Sequence, residues 1–207
     1  RPDEDSVTNS VMSVFGDHYD NFATIGNTNP YWNQTGKFHT ITLNDEPLWR
    51  YLDMNYQGHD IAVFDYDNNS FNSPWDLSEA THVHLDLWTP IVEQVRFFLL
   101  DLSNTLGQES YYTIETNAGS WTSIEVPIAD FRIIQNFDNN LYQLKFEPAG
   151  IAPLMYMANL YFFTDPSLKI ETFDGGNLKV YPNPTATNWN FEMDTVIHSI
   201  EIYDIHG

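Results

Sequence analysis

Cysteine is absent, so the fold draws on neither disulfides nor thiolate metal sites, and no compartment can be read from thiol chemistry. Positive charge is scarce as well: eight Lys and Arg stand against twenty-nine Asp and Glu, a net charge of −21. Such a chain cannot neutralise a row of phosphates, which sets aside nucleic acid and anionic membrane surfaces as partners and disfavours anionic polysaccharides. Neutral ligands meet no such repulsion, and calcium would be attracted. No run of about eighteen apolar residues occurs, so no membrane-spanning helix is expected. No Gly-x-Ser-x-Gly elbow, HExxH pair, phosphate loop or dinucleotide fingerprint is present, which leaves nucleophilic and nucleotide chemistry without a motif. The sequence begins at Arg1 with no signal peptide and reads as a mature protein or an excised fragment.

What is present is apolar and aromatic. Hydrophobic residues make up 42% and aromatics 15%, enough to bury a core and far from disordered composition. RPDEDSVTNS, residues 1–10, is polar and aperiodic and reads as a linker. From Val11 onward, alternating segments recur between Asn, Asp, Gly, Pro and Ser clusters: VMSVF, GKFHTITL, WRYLDMNY, THVHLDLW, QVRFFLLDL, YYTIET, TSIEVPI, YQLKFEP and MYMANLYFF. Each has the β-branched and aromatic content of a strand. The best helical signal is one turn at Ile128 to Arg132 after Pro127. Strands without intervening helices predict an all-β fold, an antiparallel jelly-roll-like β-sandwich over residues 11–164. DPSLKIETFDGGN, residues 165–177, reads as a second linker, and residues 178–207 begin a partial second β unit.

THVHLDLW holds the most informative pattern. Side chains alternate across a sheet, so Val83, Leu85 and Leu87 face the core while His82, His84, Asp86 and Trp88 share the opposite face. A polar and aromatic stripe of this kind suits sugars, whose rings lie on Trp or Tyr while Asp, Asn, Gln and His bond the hydroxyls. Tyr31, Trp32, Tyr51, Tyr56, Trp75 and Trp121 extend the supply of rings. Two other readings of the histidines stand beside this one: a structural pair, or a metal chelate completed by His59 or Asp86. Glu115, Glu125 and Glu147 are candidate paired acids for glycoside hydrolysis, with solvated outward positions as the plainer reading. GDHYDN and FDYDNNSFNS gather oxygen ligands, so a structural calcium ion is one expectation, carried by Asp17 and Asp20; no cofactor is required.

Two resemblances rest on blocks of sequence. SVFGDHYDN, NPYWNQT, LDMNYQG, WDLSEATHVHLDLWT, GSWTSIEVPIADF, YQLKFE and MYMANLYF resemble successive blocks of a β-sandwich often appended to laminarinase-type endoglucanases and related secreted polysaccharide-degrading enzymes. The resemblance implies a non-catalytic carbohydrate-binding module, and its polar and aromatic blocks contain Trp32, Gln34, Asn55, Tyr56, Gln57, His82, His84, Asp86 and Trp88. The chain departs from the pattern in the longer FDYDNNSFNS segment and at Ala158, where such modules commonly carry an acid. KVYPNPT, NFE and SIEIYDIHG resemble the start of the C-terminal sorting domain recognised by type IX secretion systems.

Together these readings predict a binding module, not an enzyme, that takes a neutral β-glucan such as laminarin and holds a covalently linked upstream catalytic domain on its polymer. They also imply a secreted or cell-surface location reached by type IX export, with the secretion machinery as a C-terminal partner. A small hydrolase, lyase or metal-dependent oxidase and a protein-binding adhesin are the alternatives.

Overall fold

Alternation within the strand segments becomes two sheets packed face to face. The computed structural model describes residues 11–17, 19–20, 25–91, 93–103, 109–135, 137–165, 179–181 and 190–192. The chain divides into two compact units, Arg1–Pro166 and Ser167–Gly207.

In the first unit the elements run β1 Val11–Phe15, β2 Lys37–Leu43, β3 Glu46–Met54, β4 Gln57–Asp60, β5 Val63–Asp65, β6 Ser70–Asn72, β7 Trp75–Asp76, β8 His82–Trp88, β9 Gln94–Leu100, β10 Ser110–Glu115, β11 Trp121–Pro127, α1 Ile128–Gln135, β12 Asn140–Leu141, β13 Gln143–Pro148 and β14 Ala152–Phe163. The first sheet has the order β11-β8-β14-β3-β2, with β1 added to β14. The second has the order β10-β9-β13-β4. All of these strand pairs are antiparallel. This is the β-sandwich the strand spacing predicts.

The core lies between the sheets. Val83, Leu85 and Leu87 from β8 and Leu160 and Phe162 from β14 meet Val95, Phe97 and Leu99 from β9 and Leu144 and Phe146 from β13, all at or below 1% exposure. Each such side chain contributes roughly 1.5–3 kcal/mol by leaving water. The short helix α1 follows Pro127, whose ring suits a helix start, and closes one end by burying Ile128 and Phe131. It is longer than the turn expected over Ile128 to Arg132.

Local chemistry sets the register in two places. Between β2 and β3, Leu43 pairs with Glu46 across a two-residue turn in which Asn44 and Asp45 have φ of 53° and 65°. Positive φ at both central residues makes a primed hairpin turn, which Asn and Asp tolerate best among residues with a side chain. In β14 the pairing to β8 shifts between Ala158 and Tyr161, around Asn159 at φ 51°. This bulge reverses the parity of the strand, so Tyr156, Ala158, Tyr161 and Phe163 all share the outer face with β8's even-numbered residues.

The sequence reading differs in two segments. WRYLDMNY does not run as one strand: β3 ends at Met54, and Gln57–Asp60 joins the other sheet. FDYDNNSFNS folds as the β5–β6 hairpin. In the second unit, β15 Lys179–Tyr181 pairs with β16 Asn190–Glu192. Of the sorting-domain blocks, YPNP beyond Tyr181 and all of SIEIYDIHG lie outside the described residues.

Candidate functional site

NPYWNQT forms a loop whose shape is fixed almost entirely by hydrogen bonds to its backbone. Gln34 accepts from the Trp32 amide at 2.5 Å through Oε1 and donates from Nε2 to Pro30 O at 2.6 Å. Asn33, at φ 63°, makes the tight bend between them. Asn55 Oδ1 accepts from the Thr35 amide at 2.8 Å, and the Tyr56 hydroxyl donates to the Trp32 carbonyl. Gln57 Nε2 donates to Asn29 Oδ1 at 3.2 Å and Gly58 O at 2.8 Å. The structure therefore brings together Trp32, Gln34, Asn55, Tyr56 and Gln57. The four polar residues position the ring; Trp32 itself stays partly open to solvent.

A deeper anchor escaped the sequence reading. His59 lies wholly within the core, stacked on Trp49 with ring centroids 4.4 Å apart. Its Nδ1 is 2.6 Å from Thr28 O, and its Nε2 is 3.1 Å from the Tyr51 hydroxyl. A carbonyl can only accept, so Nδ1 carries the proton and Nε2 accepts from Tyr51. Burial pushes the imidazole from 6.5 down to about 3, against the raising effect of the Thr28 bond. Burial likewise moves the Tyr51 hydroxyl above its ordinary range. The neutral pair ties the start of the Trp32 loop to the core.

Trp32 lies on the outer face of the second sheet. His59 points into the core, so Gly58 must face outward, and a methyl group at Gly58 would stand 1.9 Å from Trp32 Cζ3. Only glycine lets the indole rest on the strand. From Gly58 the cross-strand partners continue to Lys145, then Phe98, then Tyr111. Lys145 Nζ sits 3.8 Å from the Phe98 ring centre and 3.4 Å from Glu147 Oε2, and also bonds the Glu109 carboxylate. One step along, Arg96 Nη1 reaches Glu147 Oε1 at 3.2 Å, with its guanidinium 5.2 Å from the Tyr111 ring centre. The row spans three strand spacings, about 14 Å, with a partly exposed ring at each end. Between the rings the two cations and two carboxylates cancel formally, making a neutral patch on a chain of net charge −21.

THVHLDLW lies on the opposite sheet, so its residues do not join Trp32. Its parity is as expected: Val83, Leu85 and Leu87 enter the core at 0% exposure. The outer face, however, is no continuous open stripe. His84 and Asp86 are 2% and 0% exposed. His84 stacks on Tyr161 at 4.7 Å and 11°, with Nε2 3.5 Å from Asp86 Oδ1 and Nδ1 3.6 Å from Glu125 Oε1. Asn159, delivered by the β14 bulge, donates to Asp86 Oδ2 at 2.6 Å. Asp86 and Asn159 thus form a buried structural pair, closed to any substrate. Only the ends of the stripe stay partly open: His82, stacked on Phe163 at 5.4 Å, and Trp88, 5.6 Å from the Tyr156 ring.

Other sequence candidates separate in the same way. Tyr51 and Trp75 are core residues at 1% and 4% exposure, whereas Tyr31 is 81% exposed. Tyr31, Gln34, Lys37 and His39 help line a shallow groove of ≈ 390 Å³ between the Trp32 loop and β2. Glu115 and Glu125 point to solvent. Asp17 and Asp20 are exposed, and among the described residues no three His, Asp or Glu side chains gather as a metal site. In the β5–β6 hairpin, Asp65 accepts from Asn68 and Asn72 side chains at 2.7 and 3.1 Å. Those bonds hold its carboxyl below the usual range.

No family model matches the chain, and no curated protein matches it by sequence. Solved structures do resemble it. A family 11 carbohydrate-binding module of a cellulosomal cellulase of Clostridium thermocellum is 14% identical at a TM-score of 0.48, over 75% of this chain and 96% of that one. A family 30 module of a cellulosomal cellulase from the same organism is 15% identical at 0.48, over 76% and 99%. A mutant of a family 29 carbohydrate-binding module is 10% identical at 0.47, over 75% and 92%.

Proposed function

We propose that the first unit is a non-catalytic carbohydrate-binding module that holds a neutral glucan across the outer face of the second sheet. The observation that carries this is the Trp32 indole laid on Gly58, in line with Lys145, Phe98 and Tyr111. A ring at each end offers apolar faces to the C–H sides of pyranose units. Arg96, Glu109 and Glu147 offer donors and acceptors for hydroxyls, and the nearly buried Lys145 between the carboxylates keeps the face from exposing an unbalanced charge.

Affinity on such a face comes from preorganisation. The loop's bonds fix Trp32 before ligand arrives, so little side-chain freedom is lost on binding. The polymer we favour is a β-glucan such as laminarin. The module then serves to keep a covalently linked, secreted polysaccharide-degrading enzyme at high effective concentration on that polymer. Export through the type IX machinery, read from KVYPNPT onward, belongs to the same proposal.

Calorimetric titration with laminarin, mixed-linkage glucan, alginate and agarose tests it. Binding to a neutral glucan, weakened about 30-fold or more by Trp32→Ala in line with the loss of an aromatic anchor, is the expected result. Preference for alginate, or wild-type affinity with no loss of stoichiometry in the Trp32→Ala protein, would overturn it.

A further inference from the structure

Across the first sheet, five cross-strand partners stand in one line on the outer face: Trp121 of β11, Trp88 of β8, Tyr156 of β14, Arg50 of β3 and His39 of β2. The first four are partly exposed and His39 is exposed. Trp88 and Tyr156 are in ring contact at 5.6 Å. Beside them the His84, Asp86 and Asn159 cluster is sealed and its Asn159–Asp86 bond ties β14 to β8. We infer that this row is a second glycan-binding platform, on the face opposite Trp32, so that one module can hold two glucan chains at once.

The geometry favours a sugar chain as occupant. The row crosses four strand spacings, about 19 Å at about 4.8 Å each, and one spacing is close to the length of a pyranose unit. Each ring can therefore meet a successive sugar. Stacking groups fill the β11, β8 and β14 positions, and hydrogen-bond donors, Arg50 and His39, take over at β3 and β2. Exposed Lys37 follows on the same strand face. Rings giving way to donors match a ligand with apolar faces and hydroxyl edges. A second copy of the chain would bring its own net charge of −21 against this one, a repulsion that opposes self-association. His39 and Lys37 also line the groove beside Tyr31 and Gln34, so the β2 end of this row borders the Trp32 loop; the stacking rings Trp88 and Trp121 lie on the face opposite Trp32 and take a separate short oligosaccharide. On a polymer the two sites cross-bridge strands, or let the module hold one strand while the other is released.

The test titrates a gluco-pentasaccharide into the whole chain, into Trp32→Ala and into Trp88→Ala/Trp121→Ala, with thermal unfolding as a folding control. The expected stoichiometry is two sugars per wild-type chain and one for each variant. With polymeric glucan, the wild type should produce turbidity that both variants lose. A wild-type stoichiometry of one, unchanged by the Trp88 and Trp121 substitutions, overturns the inference and leaves the Trp32 site standing. A single site removed by Trp88→Ala/Trp121→Ala and indifferent to Trp32→Ala fails the Trp32 site and overturns the holding of two chains at once, leaving this row as the one platform. Concentration-dependent dimerisation abolished by Trp88→Ala/Trp121→Ala would assign the row to a second copy and overturn it.

Discussion

The two outer faces of the sandwich carry similar residues and use them differently. On the second sheet, the polar residues around Trp32 bond to backbone, and the ring, Arg96, Glu109 and Glu147 stay open or partly open to solvent around a nearly buried Lys145. On the first sheet, His84, Asp86, Asn159 and Tyr161 bury one another, and the open or partly open rings are His82, His39 and the neighbours Trp121, Trp88 and Tyr156. A histidine or carboxylate on an outward position is therefore no evidence of exposure. What covers the face decides: the β14 bulge turns Tyr161 onto His84, and Tyr19, after β1, packs edge-on against Tyr161 at 5.1 Å.

The largest expected effect breaks the buried side of that contrast. Asp86→Ala removes the buried carboxylate that accepts from Asn159 Nδ2 and lies 3.5 Å from His84 Nε2. Losing one partner of a sealed polar pair costs about 3 kcal/mol or more, measurable by denaturant unfolding. Glucan affinity at the Trp32 face should stay at its wild-type value in the folded fraction. Next in size is Gly58→Ala, which places a methyl group 1.9 Å from Trp32 Cζ3 and must displace the indole. Affinity for glucan should fall by about 2 kcal/mol, the scale of a lost aromatic anchor, with a shift in tryptophan emission. Unfolding free energy should change by less than this, because the ring moves into solvent and no core contact is removed. Equal affinity for wild type and Gly58→Ala would separate Trp32 from the site.

Much of this contrast is legible in the sequence, and the illegible part has identifiable causes. Alternation places Val83, Leu85 and Leu87 in the core because a strand has only two faces. It assigns His84 and Asp86 to the correct face but says nothing of what lies above them. Asn159 was the hidden variable: a single left-handed residue inside MYMANLYFF shifts register, and Asn in a strand is the only local hint. Trp75 and Tyr51 sit near turns and strand pairs that read as exposed, yet both are buried. His59 could not be paired with Thr28 from spacing, since the contact spans 31 residues. WRYLDMNYQGHD concealed a change of sheet, because only the short break at Asn55 and Tyr56 separates strands of opposite layers.

The core anchor under the Trp32 loop gives a pH-dependent prediction. His59 stays neutral in the fold down to about 3, against 6.5 as its ordinary value. The unfolded chain therefore binds this proton first as pH falls. Stability from the group is complete above 6.5 and is lost progressively toward about 3, at up to about 1.4 kcal/mol per pH unit. The difference in unfolding free energy between wild type and His59→Gln should shrink over that window. A constant difference across it would mean that the imidazole titrates alike in both states.

The smallest effect sharpens the comparison most, because it asks whether the open face is built for stability at all. Arg96 and Glu147 make their 3.2 Å contact with side chains 50% and 32% exposed. Such pairs contribute about 1 kcal/mol or less to folding, since water solvates both charges well and side-chain entropy opposes the pairing. Glu147→Gln keeps the shape and one acceptor but frees Arg96 and Lys145 from their shared carboxylate. Unfolding should move by about 1 kcal/mol or less, because Glu109 still holds the nearly buried Lys145. The face, though, gains net positive charge, so discrimination between neutral and acidic polymers should narrow as alginate affinity rises. The same substitution would then be nearly silent in stability and audible in specificity, the reverse of Asp86→Ala. If Glu147→Gln instead costs several kcal/mol and leaves specificity alone, the charged ladder on the second sheet is structural, as its counterpart on the first sheet is.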